Sequence, residues 1–247
     1  MRPILAVAPW SAAAFLGAVP AAAEEAPPTF DLAAGIALVS DYRFRGISLS
    51  DRRPSLQGSL VGTHRSGAYA GVSAYTLDGF GELGGSNLEL DLYAGYRRKL
   101  GFVSADAGLL FYAYPGASGG KFEFFEPYAS LSMPLGTATA RLSAAFAPAQ
   151  DALGGNGNLY LAADIAVPVR HTPFTLKARL GRSSGETPLT PGRRYGEWLA
   201  GADYAAGRVV LGVAVAGTDI GAADALAAGA RRRDTRPTIV LSGTASF

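Results

Sequence analysis

From about residue 29 to its last residue the chain alternates apolar and polar positions with a period of two. The alternation falls into twelve segments, at 29–45, 55–63, 68–76, 87–96, 102–114, 123–133, 137–147, 158–167, 174–182, 195–204, 209–217 and 237–247. Most are close to the length a tilted β-strand needs to cross a bilayer. The connections between them alternate in length: 46–54, 77–86, 115–122, 148–157, 183–194 and 218–236 are long, whereas 64–67, 97–101, 134–136, 168–173 and 205–208 are short. An even strand count puts both ends of the array on one side. With that side in the periplasm, the long loops face outward. The pattern predicts an all-β fold, a closed antiparallel transmembrane β-barrel of about 12 strands.

Where the charges fall sharpens the prediction. Phe30, Leu32, Ala34, Ile36, Leu38, Tyr42 and Phe44 share one face of the first segment, leaving Asp31, Asp41, Arg43 and Arg45 on the other. Leu88, Leu90, Leu92, Ala94 and Tyr96 likewise oppose Glu89 and Asp91; Phe174, Leu176, Ala178 and Leu180 oppose Lys177 and Arg179; Trp198, Ala200, Ala202 and Tyr204 oppose Glu197 and Asp203. Asp106, Glu126, Arg141 and Asp164 follow the same rule singly. An Arg or Lys on the lipid face near the midplane costs roughly 2 to 4 kcal/mol, so a barrel must sort charge to its interior. On the apolar faces, aromatic residues collect at two levels: Phe30, Tyr96, Phe174, Tyr204 and Phe247 at one end, Tyr42, Phe44, Phe111, Phe125, Phe146 and Trp198 at the other. Two aromatic girdles around an aliphatic belt are expected where a barrel meets two membrane interfaces.

The first 23 residues read as a secretory leader: Arg2, an apolar stretch from Ile4 to Val19 broken by Pro9, and the small-residue cleavage site Ala21-Ala22-Ala23. Residues 24–247 would then form the barrel. Export and the terminal strand ending on Phe247 together point to the outer membrane of a Gram-negative bacterium, where the barrel-assembly machinery would read that last residue. With no cysteine there is neither a disulfide framework nor a thiol for lipid attachment. The formal charge of +2 makes no case for nucleic acid.

Asp41-Tyr42-Arg43-Phe44-Arg45-Gly46-Ile47-Ser48, then Ser50-Asp51-Arg52-Arg53-Pro54 and Leu56-Gln57-Gly58, resemble the opening hairpin of the proteobacterial TorF-type porin family. Leu90-Asp91-Leu92-Tyr93-Ala94-Gly95-Tyr96 is similar to that family's fourth-strand segment. The resemblance implies an outer-membrane barrel that conducts small solutes. It carries over no functional residue and no solute.

Function then has to be sought in the lumen. The inward positions hold nine acids (Asp31, Asp41, Glu89, Asp91, Asp106, Glu126, Asp164, Glu197, Asp203) and five bases (Arg43, Arg45, Arg141, Lys177, Arg179). Asp91, Asp106, Glu126, Arg141, Asp164, Lys177 and Arg179 are the expected pore-lining residues. Asp91, Arg141, Asp164, Lys177 and Arg179 should lie nearest mid-depth, as a constriction that orients polar solutes. Asp41, Arg43 and Arg45 are placed at the outer mouth, the two arginines pairing locally with Asp41 or Asp51. Arg193, Arg194, Arg231, Arg232 and Arg233 form a basic patch on the last outer loops, suited to lipopolysaccharide phosphate or to drawing anions inward. Small inward residues, among them Gly95, Gly108, Gly181 and Gly212, are expected to leave an open path.

The expected function is a passive outer-membrane channel for small polar or charged solutes, without a cofactor or a metal. The alternative is a structural or adhesive barrel with a blocked lumen, the last loop serving as the plug. A lipid-modifying enzyme comes third: His64 and His171 are the only histidines, both in short turns, and the sequence holds no nucleophile elbow, phosphate loop or metal-spaced ligand set.

Overall fold

A computed structural model of the protein describes residues 29–78, 82–227 and 232–247, so the expected leader lies outside the described residues. Twelve strands close a barrel: β1 (Phe30–Val39), β4 (Ser55–His64), β5 (Ala68–Thr76), β6 (Leu88–Leu100), β7 (Val103–Ala113), β8 (Phe124–Leu135), β9 (Ala138–Ala147), β10 (Asn158–Pro168), β11 (Phe174–Ser184), β12 (Arg194–Ala206), β13 (Val209–Thr218) and β14 (Thr238–Ser246). Two short strands, β2 (Arg43–Phe44) and β3 (Ile47–Ser48), form a separate hairpin in the first long loop. Two short helices, α1 (Ala222–Ala227) and α2 (Arg232–Thr235), lie in the last loop.

Every barrel strand pairs antiparallel with its neighbours, and β1 closes the ring on β4 and β14. Phe247 finishes the β14 seam, its N–H donating to the Ala34 carbonyl at 2.9 Å. Closure removes the free edges that would otherwise template aggregation. All twelve predicted segments correspond to barrel strands, and the long loops gather at one end, the short turns and both barrel termini at the other.

Burial is inverted relative to a soluble protein. Leu32, Leu60, Leu92, Leu142, Leu161, Leu180, Leu211 and Leu241 are exposed on the outer wall, while Glu89, Asp91 and Glu126 are buried inside it. Phe30, Tyr96, Phe174, Tyr204 and Phe247 are exposed at the turn end, and Phe111, Phe125 and Phe146 toward the loop end. An apolar belt this continuous needs lipid as its solvent.

Two predicted boundaries are corrected. β1 stops at Val39 rather than continuing to residue 45: Ser40 ends the pairing with β14 by bonding Leu241 through both its N–H and its hydroxyl, each at 2.9 Å, and the chain then turns inward. Tyr42 and Phe44 therefore leave the outer girdle and are buried in the interior. At the other end, β6 runs on to Leu100, so that Arg97, expected in a turn, belongs to a strand.

Candidate functional site

The inward course of residues 40–54, hereafter loop 1, follows from its own short-range bonds. The Asp41 carboxylate accepts from Ser48 Oγ at 2.5 Å and Arg43 Nε at 2.7 Å, while the Tyr42 N–H donates to Ser50 Oγ at 2.8 Å. Between β2 and β3 both central turn residues have positive φ, Arg45 at 48° and Gly46 at 82°. That is the two-residue hairpin turn whose twist matches paired strands, and its second position suits glycine. Gly46 is also tight: a Cβ there would lie 2.9 Å from the Glu197 Cβ.

The turn delivers Arg45 across the lumen. Its Nη2 donates to both oxygens of Glu126 on β8 at 2.6 Å, and its Nη1 to Asn158 Oδ1 on β10 at 2.7 Å. The guanidinium also lies 4.3 Å from the Tyr160 ring centroid. Behind it, Tyr42 stacks on Tyr75 at 4.8 Å and donates to Glu89 Oε1 at 2.5 Å. Burial, with Glu89 and Asp91 alongside, raises the Tyr42 phenol well above its ordinary value of 10.0, so it remains a neutral donor. Phe44 meets the edge of Tyr112, which stacks on Phe124. Leu49 of loop 1, with Leu77, Leu83, Phe122, Leu153 and Leu189 of other loops, packs over these rings and caps the loop end.

Below this cap the inward charges form a second, more exposed group. Arg97 bonds Asp106 at 2.7 Å, Arg179 Nε bonds Asp164 Oδ1 at 2.6 Å and Lys177 bonds Asp203 at 2.5 Å. Tyr69 donates to Asp106 at 2.5 Å, and Tyr160 to Glu197 at 2.5 Å. Register places Arg141, Asp164 and Arg179 directly opposite one another on β9, β10 and β11. Asp164 thus stands between two guanidiniums.

The structure brings Asp106, Arg141, Asp164, Lys177 and Arg179 into the turn-end half of the lumen. Asp91 and Glu126 sit with Glu89 in the loop-end half, so the five mid-depth candidates do not share one level; tyrosine burial and Arg45 divide them. Asp41 and Arg43 pair with each other as expected, but Arg45 is corrected from a mouth residue with local partners to a buried bridge onto Glu126. In the basic patch, Arg193 reaches Glu186 at 3.2 Å and Arg233 pairs with Asp51 of loop 1. Arg194 is exposed at the start of β12, whereas Arg231 and the side chain of Arg232 lie outside the described residues. His64 is near the turn end and contacts Ser66 Oγ at 2.8 Å.

The expectation that inward glycines leave a free path is also corrected. Tyr93 lies over Gly71, Tyr69 over Gly95 and Tyr128 over Gly108, each ring facing the glycine directly opposite it in register. Tyr160 covers Gly181 diagonally, and Ser242 with Asp203 fills the space at Gly212. Without a Cβ the strand offers a flat seat, and a ring on the next strand occupies it. Eight of the eleven tyrosines are buried, leaving only Tyr96 and Tyr204 fully outside among them. The signal for this was present in the sequence: tyrosine concentrates at inward parity, while most strand phenylalanines, Phe30, Phe111, Phe125, Phe146 and Phe174 among them, take outward positions. A phenol can reach a hydrogen-bond partner in a polar interior; a phenyl ring cannot.

This architecture has known counterparts. The NanC porin is similar at a TM-score of 0.55 and 12% identity, over 87% of this chain and 98% of that one. An outer-membrane channel from Pseudomonas putida F1 is similar at a TM-score of 0.48 and 13% identity, over 93% of this chain and all of the other. Likeness at such low identity concerns the fold. No curated protein matches the sequence. The family model described as "Bacterial protein of unknown function (Gcw_chp)" matches residues 22–247. Since that match takes in every barrel strand and the inward hairpin, the chain belongs to the Gcw_chp family.

Proposed function

We propose that the protein is a small-solute channel of the Gram-negative outer membrane whose first loop is a removable plug. The carrying observation is the Arg45 bridge. One hairpin tip closes the loop end through contacts with Glu126, Asn158 and Tyr160, and beneath it lies a charged lumen partly open to water. A closure held by a few polar bonds at a turn is released by rearranging one loop, with the barrel wall intact. The porin-like fold and the TorF-type resemblance of residues 41–58 support the same reading. In this reading the long loops face outward, lipid and lipopolysaccharide surround the belt and rim, Phe247 is the residue presented to the assembly machinery, and diffusion through the lumen is passive.

The opposing reading, a non-conducting structural barrel, draws on the tyrosine-on-glycine filling of the lumen. Planar-bilayer recordings of refolded protein separate the two. The channel reading expects rare, small current steps in the native chain and frequent ones when residues 41–50 are replaced by a short flexible linker. A linker variant that is folded yet silent at all voltages would establish the blocked barrel instead.

A further inference from the structure

We infer that the turn-end half of the lumen binds small oxyanions, carboxylates or phosphates, at the guanidinium of Arg141. The inference names the solute class of the channel proposed above and rests on that reading. It begins with an imbalance of partners. Arg141 is 8% exposed, and its Nε and Nη1 are buried without a hydrogen-bond partner. A guanidinium left this way forgoes charge-assisted hydrogen bonds that an anionic oxygen would supply.

The charges acting on Arg141 include Asp164, Asp106, Arg179 and Arg97. Of the acids near it, Asp106 is bonded from two sides, by Arg97 and Tyr69, while Asp164 is held through one oxygen only, by Arg179, and its Oδ2 is buried without a hydrogen-bond partner. Three guanidiniums thus share two carboxylates. Glu197 acts on Arg179 from β12, three strands from Arg141, and takes its own bond from Tyr160. Lys177 and Asp203 satisfy each other. Of the three guanidiniums, Arg141 is the one whose Nε and Nη1 are buried without a hydrogen bond.

Its surroundings suit an anion. Ser130 and Ser132 on β8 and Ser143 on β9 share the inward parity of Asp106 and Arg141, and Ser132 lies opposite Arg141 in register. Hydroxyls can turn their protons toward a bound oxygen. Access is graded from the turn end: side-chain exposure is 21% at Arg97 and 16% at Lys177, falling to 11% at Arg179, deeper on the same strand as Lys177. A solute coming from the turn end therefore meets Arg97 and Lys177 before Arg141.

Equilibrium binding tests this without requiring conduction. The full barrel, refolded in zwitterionic detergent at low ionic strength, is titrated calorimetrically with acetate, inorganic phosphate and, as a cation, choline. Saturable binding of at least one oxyanion and none of choline is expected. Arg141→Gln should weaken it about tenfold or more, the loss of one charge-assisted bond. Asp164→Asn should tighten it, because Arg179 then loses its acid. The rim pair Arg193→Gln with Arg194→Gln should leave it unchanged, separating the lumen site from phosphate capture at the loops. Absence of saturable binding in the native barrel overturns the inference. So does equal affinity in folded Arg141→Gln, or binding abolished by the rim pair alone. Should Arg141→Gln not fold, weaker binding by folded Asp164→Asn overturns it equally. Conductance without oxyanion binding would leave the channel standing and remove its anion site; binding without conductance would do the reverse.

Discussion

Replacing Arg45 by Ala should open the loop end. Its side chain is 4% exposed and that of Glu126 2%, with both carboxylate oxygens accepting from one nitrogen at 2.6 Å. Removing one partner of a buried, hydrogen-bonded ion pair costs about 3 to 5 kcal/mol, chiefly because the remaining charge is stranded. Here the cost falls on the plugged state alone: once loop 1 leaves, Glu126 is hydrated and loses nothing. The plugged-to-open equilibrium should therefore move by roughly a hundred- to several-thousand-fold, at about 1.4 kcal/mol per factor of ten. Single-channel recording reads this as open probability, and limited trypsin digestion after Arg43, whose side chain is 5% exposed in the plugged loop, gives a second measure of loop release. Glu126→Gln in the Arg45→Ala background should restore much of the closure, because a neutral amide is cheaper to bury than an unpaired carboxylate. The double-mutant cycle then shows a coupling of several kcal/mol. An Arg45→Ala barrel as silent and as trypsin-resistant as the native one would refute the assignment of Arg45 as the bond that holds the plug.

Other substitutions probe the wall and the filling. Gly108→Ala places a methyl 2.5 Å from both the Tyr128 hydroxyl and the Ala94 carbonyl, and should destabilise the barrel by about 1 to 3 kcal/mol in urea unfolding from lipid vesicles. Leu142→Arg, on the outer face of β9 beside Arg141, should cost roughly 2 to 4 kcal/mol in the same assay, whereas Arg141→Leu, on the inner face, should not carry that lipid penalty. The raised Tyr42 phenol gives loop closure a pH dependence of known sign. Its contribution is complete below its ordinary value of 10.0 and is lost as alkali ionises it beside Glu89 and Asp91. Trypsin sensitivity of loop 1 should rise above that pH in the native chain, and comparison with Tyr42→Phe isolates the step; identical profiles for the two would assign it to other tyrosines.

The sequence by itself determined the wall. A period of two with charge confined to one parity is meaningful in a bilayer because each misplaced Arg or Lys is penalised strand by strand, a local rule legible without coordinates. Twelve strands, their faces and the long-loop end all followed from it. What filled the wall depended on neighbours across the barrel. Whether Arg45 lies at a mouth or in the centre turns on Ser40 ending β1 and on the positive-φ turn at Arg45-Gly46; its partners are 81 and 113 residues away in the chain. Gly95 and Gly108 read as free volume until register set Tyr69 and Tyr128 opposite them. Arg97 was hidden in the run Arg97-Arg98-Lys99, which resembles a solvated turn, although it continues the parity of Glu89 and Asp91 toward Asp106. Alternation specifies which way a side chain points; only closure of the ring and register specify what it meets there, because those contacts join strands with no proximity in sequence.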